Sequence, residues 1–159
     1  SSGINAEYMG THDALSSNLA MGCLLGGFCL GPVNTAGVHA LSYPLGSMFH
    51  LAHGLSNALL LPYVMEFNVV ASPKKYAEVA IALGCSREGS DEETAAKGIE
   101  KIKSLIKDCG IPARLRELDI LKEAIPQMAE DAMKITRLLK NNPRPISLED
   151  AIAIFTAAY

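Results

Sequence analysis

The sequence predicts an all-α, multi-helical bundle. Apolar residues recur at spacings of three and four, as they do on one face of an α-helix, and apolar and polar residues nowhere alternate strictly over a strand-length segment. Several segments also begin with a residue type that caps helix N-termini. With 159 residues, 49% of them hydrophobic and 19% charged, the chain is long enough to bury a core without disulfides or a structural metal.

The N-terminal half is apolar and contains three predicted segments. Residues 13–30 are apolar nearly all round and rich in small side chains, which favours a central helix that its neighbours approach closely and that Pro32 ends. Residues 37–46 form a short segment that Pro44 breaks. Residues 54–71 are predicted to form a second buried helix, in which Pro62 introduces either a kink or a break.

The C-terminal half is amphipathic, and helix caps punctuate it. Ser72 followed by Pro73 is typical of an N-cap and a first helical position, and opens a helix over 74–83. Ser90 and Glu93 form a capping box ahead of an apolar stripe that ends before residue 110.

The last third of the chain contains two more predicted helical units. The first begins at residues 111–112, repeats a leucine at every third position and continues over 125–139. The second runs over 148–158, and Ser147 caps it. The sequence therefore predicts an apolar N-terminal half followed by a C-terminal half of capped, amphipathic helices.

Charge and hydropathy exclude two classes of partner. Fourteen basic and seventeen acidic residues give a net charge of −3, and no basic run is present, so we expect no nucleic-acid binding. The longest apolar windows, residues 19–30 and 55–61, are shorter than the roughly 18–20 residues that span a bilayer. We therefore expect no membrane segment, and the chain's start does not have the pattern of a signal peptide.

The four cysteines do not form a disulfide or zinc pattern. They share no C-x-x-C spacing, and two of them, Cys23 and Cys29, lie within apolar runs. This arrangement predicts buried, reduced thiols and a cytoplasmic protein.

Histidines form the one cluster that suggests chemistry. His39, His50 and His53 lie within fifteen positions of the apolar half, and imidazole is the commonest metal ligand. His50 and His53 stand at i and i+3 if that turn is helical. Buried histidines are also often hydrogen-bonded core residues, and the residues alone leave both interpretations open. His12 and Asp13, in a polar stretch, are predicted to form a solvated turn.

Two segments around these histidines resemble the signature of the iron-containing (group III) alcohol dehydrogenases. Residues 37–46 read GVHALSYPLG, and residues 53–62 read HGLSNALLLP. Further matches follow at Phe67-Asn68, Asn142-Pro143-Arg144 and the SLED of residues 147–150, so that the resemblance covers nearly the whole chain.

The resemblance implies an architecture larger than this chain. Members of the family join an N-terminal nucleotide-binding α/β domain to a C-terminal helical domain of the dehydroquinate synthase-like type. Residues 1–159 resemble the helical domain alone, as a single domain without its first part. In the family an aspartate and a histidine from that earlier part complete the metal site, and His12 and Asp13 stand too close to His39 to be that pair.

The resemblance also assigns site residues and cofactors. It implies that His39 and His53 bind Fe²⁺ or Zn²⁺, with NAD or NADP held by the absent domain. Tyr43 stands where many members have a second histidine near the nicotinamide; a phenol is a weak proton relay at neutral pH, so a packing or hydrogen-bonding Tyr43 is about as plausible as a catalytic one. His50 receives no role.

The implied function is the interconversion of small alcohols with aldehydes or ketones by hydride transfer, in a homo-oligomeric enzyme. This chain on its own is expected to be inactive. The alternative is a non-catalytic helical interaction module, or a fragment, in which the histidines only pack.

Overall fold

The computed structural model describes residues 13–159, and for residues 13–15 it describes the backbone alone. The described residues form α-helices, two short 3₁₀ turns and connecting loops, without a strand. This confirms the predicted all-α class. The chain divides into two compact units, of which the first ends at Asn34 and the second spans Thr35–Tyr159.

The first unit contributes one described helix, α1 (Asp13–Val33). It continues past the predicted end at residue 30 and includes Pro32. Asn34 then adopts a left-handed conformation with φ 64°, and its N–H donates to the Leu30 carbonyl at 3.0 Å, a common way to end a helix. The large apolar side chains of α1 are exposed. The prediction that this helix is buried and closely packed is therefore wrong.

One window of α1 is long and apolar enough to cross a membrane. It runs over Ser16–Val33, has a mean hydropathy of 1.3 and has none of its length buried. The prediction that the apolar windows are too short is therefore wrong on length. Core helices of soluble proteins and N-terminal signal sequences have the same length and composition, so the window alone does not identify a membrane span.

The cysteines are free thiols, as predicted, but not buried ones. Cys23, Cys29 and Cys109 are exposed, and Cys85 is half-buried. The apolar run around the first two lies on α1, whose side chains are exposed. Apolar neighbours in sequence therefore did not indicate burial.

The second unit is built from seven helices and two 3₁₀ turns. The turns are Leu115–Leu118 and Lys122–Ala124, and the leucine at every third position that the sequence shows here matches the three residues per turn of a 3₁₀-helix. The helices are α2 (Gly37–Phe49), α3 (His53–Val69), α4 (Pro73–Ala82), α5 (Asp91–Asp108), α6 (Ile125–Met133), α7 (Thr136–Leu139) and α8 (Leu148–Ala157).

Two prolines lie inside helices that remain continuous. Pro44 stands within α2 and Pro62 within α3, so neither breaks its helix, and the prediction of a segment broken at residue 44 is wrong. Both prolines are buried. Packing of the proline rings in the core offsets the backbone hydrogen bond that each one removes.

The predicted caps are mostly confirmed. Ser90 and Glu93 form a reciprocal capping box at the start of α5, and Ser147 and Asp150 form one at the start of α8. Ser72 precedes Pro73 as predicted, but its side chain makes no capping hydrogen bond.

The core of the second unit lies between α2, α3, α6 and α8. Leu41 and Leu45 from α2 and Leu59 and Leu60 from α3 are at most 1% exposed, and Phe155 from α8 is fully buried among them. Helix α2 packs on α3 and α6, and α8 packs on α3 and α6. The two helices whose N-termini carry His39 and His53 are therefore fixed by the main core.

Helices α4 and α5 pack closely at Gly98. A Cβ atom added at Gly98 would lie 2.5 Å from the Ala80 Cβ and 2.9 Å from the Ala80 Cα. We expect Gly98→Ala to lower the free energy of unfolding by about 1–3 kcal/mol, because the helices must separate to accept the methyl group. Thermal and denaturant unfolding followed by circular dichroism measures this loss.

Gly46→Ala is the matched control for Gly98→Ala. Gly46 also lies inside a helix, but the nearest atom to an added Cβ is the Leu51 carbonyl oxygen at 3.7 Å, an ordinary contact distance. There we expect no loss, or a gain of up to about 1 kcal/mol from helix propensity. Equal effects at the two glycines would contradict the close packing of α4 on α5.

Candidate metal centre

Two of the four histidines face each other across the N-termini of α2 and α3. His39 lies in the first turn of α2, and His53 is the first residue of α3. Their ring centroids are 5.2 Å apart, and the ring planes are inclined by 56°. The pair that the resemblance singles out is therefore brought together, although fourteen positions separate the two residues in the sequence.

The start of α2 is held by the segment that follows α7. The Asn141 side chain donates to the Thr35 carbonyl at 3.0 Å, just before α2 begins. A Cβ atom at Gly37 would lie 2.6 Å from the Asn142 Oδ1, so the first residue of α2 packs directly on this segment. The position of His39, two residues later, depends on that contact.

Asn142 also holds the far end of α3. Asn68 and Asn142 exchange hydrogen bonds through their side-chain amides, at 2.9 Å in one direction and 2.7 Å in the other. The Arg144 guanidinium lies 4.0 Å above the Phe67 ring and donates to the Phe67 carbonyl at 3.2 Å. Two short motifs quoted from the sequence, Phe67-Asn68 and Asn142-Pro143-Arg144, are thus one tertiary contact that locks α3 to the region before α8.

The environment of His39 favours the neutral ring. The side chain is half-buried, and burial lowers the pKa of its imidazole below the ordinary value; the neighbouring His53 lowers that pKa further. A metal binds the neutral imidazole, since the protonated ring has no free electron pair. His53 is exposed at the surface of the unit.

Tyr43 lies beside the pair. It stands one turn after His39 on α2, it is 45% exposed, and its ring centroid is 6.4 Å from that of His53. The phenol is therefore at the mouth of the site, within reach of a molecule that approaches the histidines. This position supports a role at the site without distinguishing a proton donor from a surface group.

Asn57 is a site residue that the sequence patterns did not single out. Its Nδ2 lies 3.0 Å from the His53 Nε2 and donates to the His53 carbonyl at 3.0 Å. Its Oδ1 is buried and has no hydrogen-bond partner. The spacing of four residues from His53 within one helix is the signal that would have revealed it.

His50 is placed differently from the pair. His50 is exposed and adopts a left-handed conformation, φ 56°, as the residue that ends α2. The turn between His50 and His53 is not helical, so the condition under which the two side chains could point the same way is not met. His12 lies outside the described residues, and Asp13 begins α1 with its side chain undescribed.

The geometry of the pair fits a shared metal ion. Two imidazoles that bind one ion through nitrogens about 2.1 Å away, at a tetrahedral angle, have ring centroids about 5 Å apart. The observed separation is 5.2 Å. Within the part of the chain whose side chains are described, no three His, Cys, Asp or Glu residues come together, so a complete metal site would need ligands besides this pair.

Comparison with known proteins places the chain in one family. The family model described as "Fe-containing alcohol dehydrogenase family, C-terminal" matches residues 3–159. The chain is 38% identical over 143 residues to long-chain-alcohol dehydrogenase 1 of Geobacillus thermodenitrificans, a match that covers 89% of this chain and 36% of the relative. It is 36% identical over 155 residues to 1,3-propanediol dehydrogenase of Klebsiella pneumoniae, covering 97% of this chain and 40% of that protein.

Solved structures agree with the sequence matches. The alcohol dehydrogenase from Oenococcus oeni superposes with a TM-score of 0.81 at 35% identity, over 85% of this chain and 35% of that structure. The chain thus spans little more than a third of the length of such relatives. It belongs to the iron-containing alcohol dehydrogenase family and corresponds to the C-terminal part of its members.

Proposed function

We propose that the chain is the metal-binding helical part of an iron-dependent, NAD(P)-linked alcohol dehydrogenase that interconverts small alcohols with aldehydes or ketones. The observation that carries the proposal is the pairing of His39 and His53, with ring centroids 5.2 Å apart, in a chain of this family. An aspartate and a histidine outside the chain complete the metal site, and a nucleotide-binding α/β domain outside the chain holds NAD or NADP. The assembled enzyme is a homo-oligomer.

His39 and His53 would hold the ion, Fe²⁺ or Zn²⁺, each through one neutral ring nitrogen. When bound, such an ion supplies a Lewis acid that stabilises a substrate alkoxide next to the nicotinamide. Burial, and then the neighbouring His53, lower the pKa of the His39 imidazole, which favours the neutral ring that a metal binds. Tyr43, at the exposed mouth of the site, would contact the substrate oxygen or the molecules around it.

The rival interpretation, in which the histidines only pack, receives less support. His53 is exposed, and its neighbours are His39, Tyr43 and Asn57, all of them side chains with polar atoms. A histidine that contributes only to core packing is expected to be buried among apolar side chains. Exposure of a polar cluster at two helix N-termini fits a site that another molecule or chain segment completes.

Elemental analysis of anaerobically purified protein tests the proposal. The two samples are the 159-residue chain and the product of the complete reading frame in which it lies. We expect about one equivalent of iron per subunit in the longer product and little in the chain alone, because two ligands are half of a four-coordinate shell. Activity with NAD⁺ and NADP⁺ on short alcohols is then measured on the longer product.

Each result has a distinct meaning. Iron in the longer product together with nicotinamide-dependent alcohol oxidation supports the whole proposal. Iron without such activity supports the metal site and contradicts the dehydrogenase function. Absence of metal from both samples contradicts the metal site and favours the interaction module.

A further inference from the structure

The hydrogen bonds of Asn57 determine which atom of its side-chain amide, Nδ2 or Oδ1, faces His53. The Asn57 Nδ2 carries two hydrogens and lies 3.0 Å from both the His53 carbonyl oxygen and the His53 Nε2. A carbonyl oxygen only accepts hydrogen bonds. Reversing the amide would place the Asn57 Oδ1 about as close to the carbonyl oxygen, where two acceptors repel.

The amide nitrogen therefore donates to the ring. Nε2 of His53 accepts this hydrogen bond, so it carries an electron pair and the proton of the neutral ring stands on Nδ1. The oxygen of the Asn57 amide, Oδ1, is buried and accepts no hydrogen bond. The side chain is thus held in place by its two contacts with His53 and not by its own carbonyl group.

We propose that Asn57 is a positioning residue that occupies the His53 Nε2 in the metal-free chain, selects the Nδ1–H tautomer, and releases Nε2 when a metal binds. The part of this proposal that concerns metal rests on the proposed function; the part that concerns the tautomer does not. Because a hydrogen bond to the metal-free ring is lost on metal binding, Asn57 stabilises the empty site and weakens its hold on metal.

The tautomer is tested on the 159-residue chain by long-range ¹⁵N–¹H correlation spectra of ¹⁵N-labelled histidines. At about pH 8.5, where imidazoles are neutral, we expect the Nδ1–H tautomer for His53. Asn57→Ala should remove the preference for Nδ1–H. Asn57→Asp should also remove the preference for Nδ1–H, because a carboxylate has no hydrogen to donate to Nε2.

Ser56→Ala is the matched control. Ser56 neighbours Asn57 on the same helix, and its hydroxyl donates to the Ala52 carbonyl one turn back without touching His53. The tautomer should therefore not change in this variant. A wild-type His53 with its proton on Nε2, or an Asn57→Asp variant with an unchanged tautomer, would overturn the assignment.

The metal part is tested by Zn²⁺ titration of the same variants made in the product of the complete reading frame and freed of metal. We expect Asn57→Ala to bind Zn²⁺ about twofold to tenfold more tightly than the wild type, the range that loss of one competing hydrogen bond allows. Weaker Zn²⁺ binding by Asn57→Ala than by the wild type would contradict the proposal that Asn57 competes with the metal for the His53 Nε2. The effect of His39→Ala separates the two proposals: if it leaves Zn²⁺ affinity unchanged, the metal site itself fails, while the tautomer result stands independently.

Discussion

Replacing either His39 or His53 with alanine in the complete enzyme is expected to abolish iron retention and alcohol oxidation together. The two rings are 5.2 Å apart, and the proposed function assigns them as the metal ligands that this chain contributes. Removal of a residue that merely supports a ligand lowers metal affinity by about 10–100-fold, so loss of a ligand itself should exceed that range. Iron content after gel filtration and NAD(P)-dependent activity measure the two losses.

Two other histidine variants are the controls. His50 is exposed at the end of α2 and lies outside the pair, so His50→Ala should leave iron content near normal. His12→Ala should do the same, because its spacing from His39 does not match the family's earlier ligands. A loss of iron from His12→Ala equal to that from His53→Ala would contradict the placement of the site.

Local patterns predicted most helices but misjudged Pro44. The capping box predicted at Ser90 and the N-cap predicted at Ser147 depend on residues close together in the sequence, and both predictions are confirmed. Pro44 was predicted to break its segment, yet it lies inside the continuous helix α2, where burial of its ring in the core offsets the lost hydrogen bond. Tertiary packing cannot be read from the residues next to a proline.

At the candidate site, too, the sequence predicted some features and not others. Resemblance to family motifs singled out His39 and His53, whose rings the structure brings together. Spacing alone also suggested His50, but the turn between His50 and His53 is not helical. The contact of Phe67 and Asn68 with Asn142 and Arg144 joins residues more than seventy positions apart. No local pattern predicts such a contact, although both motifs were visible in the sequence.

The packing of α2 and α3, the helices that carry His39 and His53, depends on the buried ring of Phe155. Phe155 is fully buried on α8, and α8 packs on α3, the helix that begins at His53, and on α6, which packs on α2. We expect Phe155→Ala to lower the free energy of unfolding by about 3–5 kcal/mol, because it removes apolar contacts and leaves a cavity. Denaturant unfolding of the 159-residue chain, followed by circular dichroism, measures the change.

Two further variants separate a cavity effect from a general loss of apolar surface. Phe155→Leu leaves a smaller cavity and should lose clearly less stability than Phe155→Ala. Leu121→Ala removes a side chain that is 68% exposed and should change the free energy of unfolding by less than about 0.5 kcal/mol. Similar losses for Phe155→Ala and Leu121→Ala would mean that α8 does not support the core in the way the structure shows.

The loss expected from Phe155→Ala is a large part of the roughly 5–15 kcal/mol that stabilises a typical domain. It should therefore reduce metal retention only under conditions in which the variant is partly unfolded, because Phe155 lies in the hydrophobic core and acts on His39 and His53 through the packing of α3 and α6. His39→Ala should show the opposite behaviour, with metal lost at every temperature and stability nearly unchanged in the metal-free chain. Measuring iron content and unfolding on both variants distinguishes a residue that binds the metal from one that holds the helices in place.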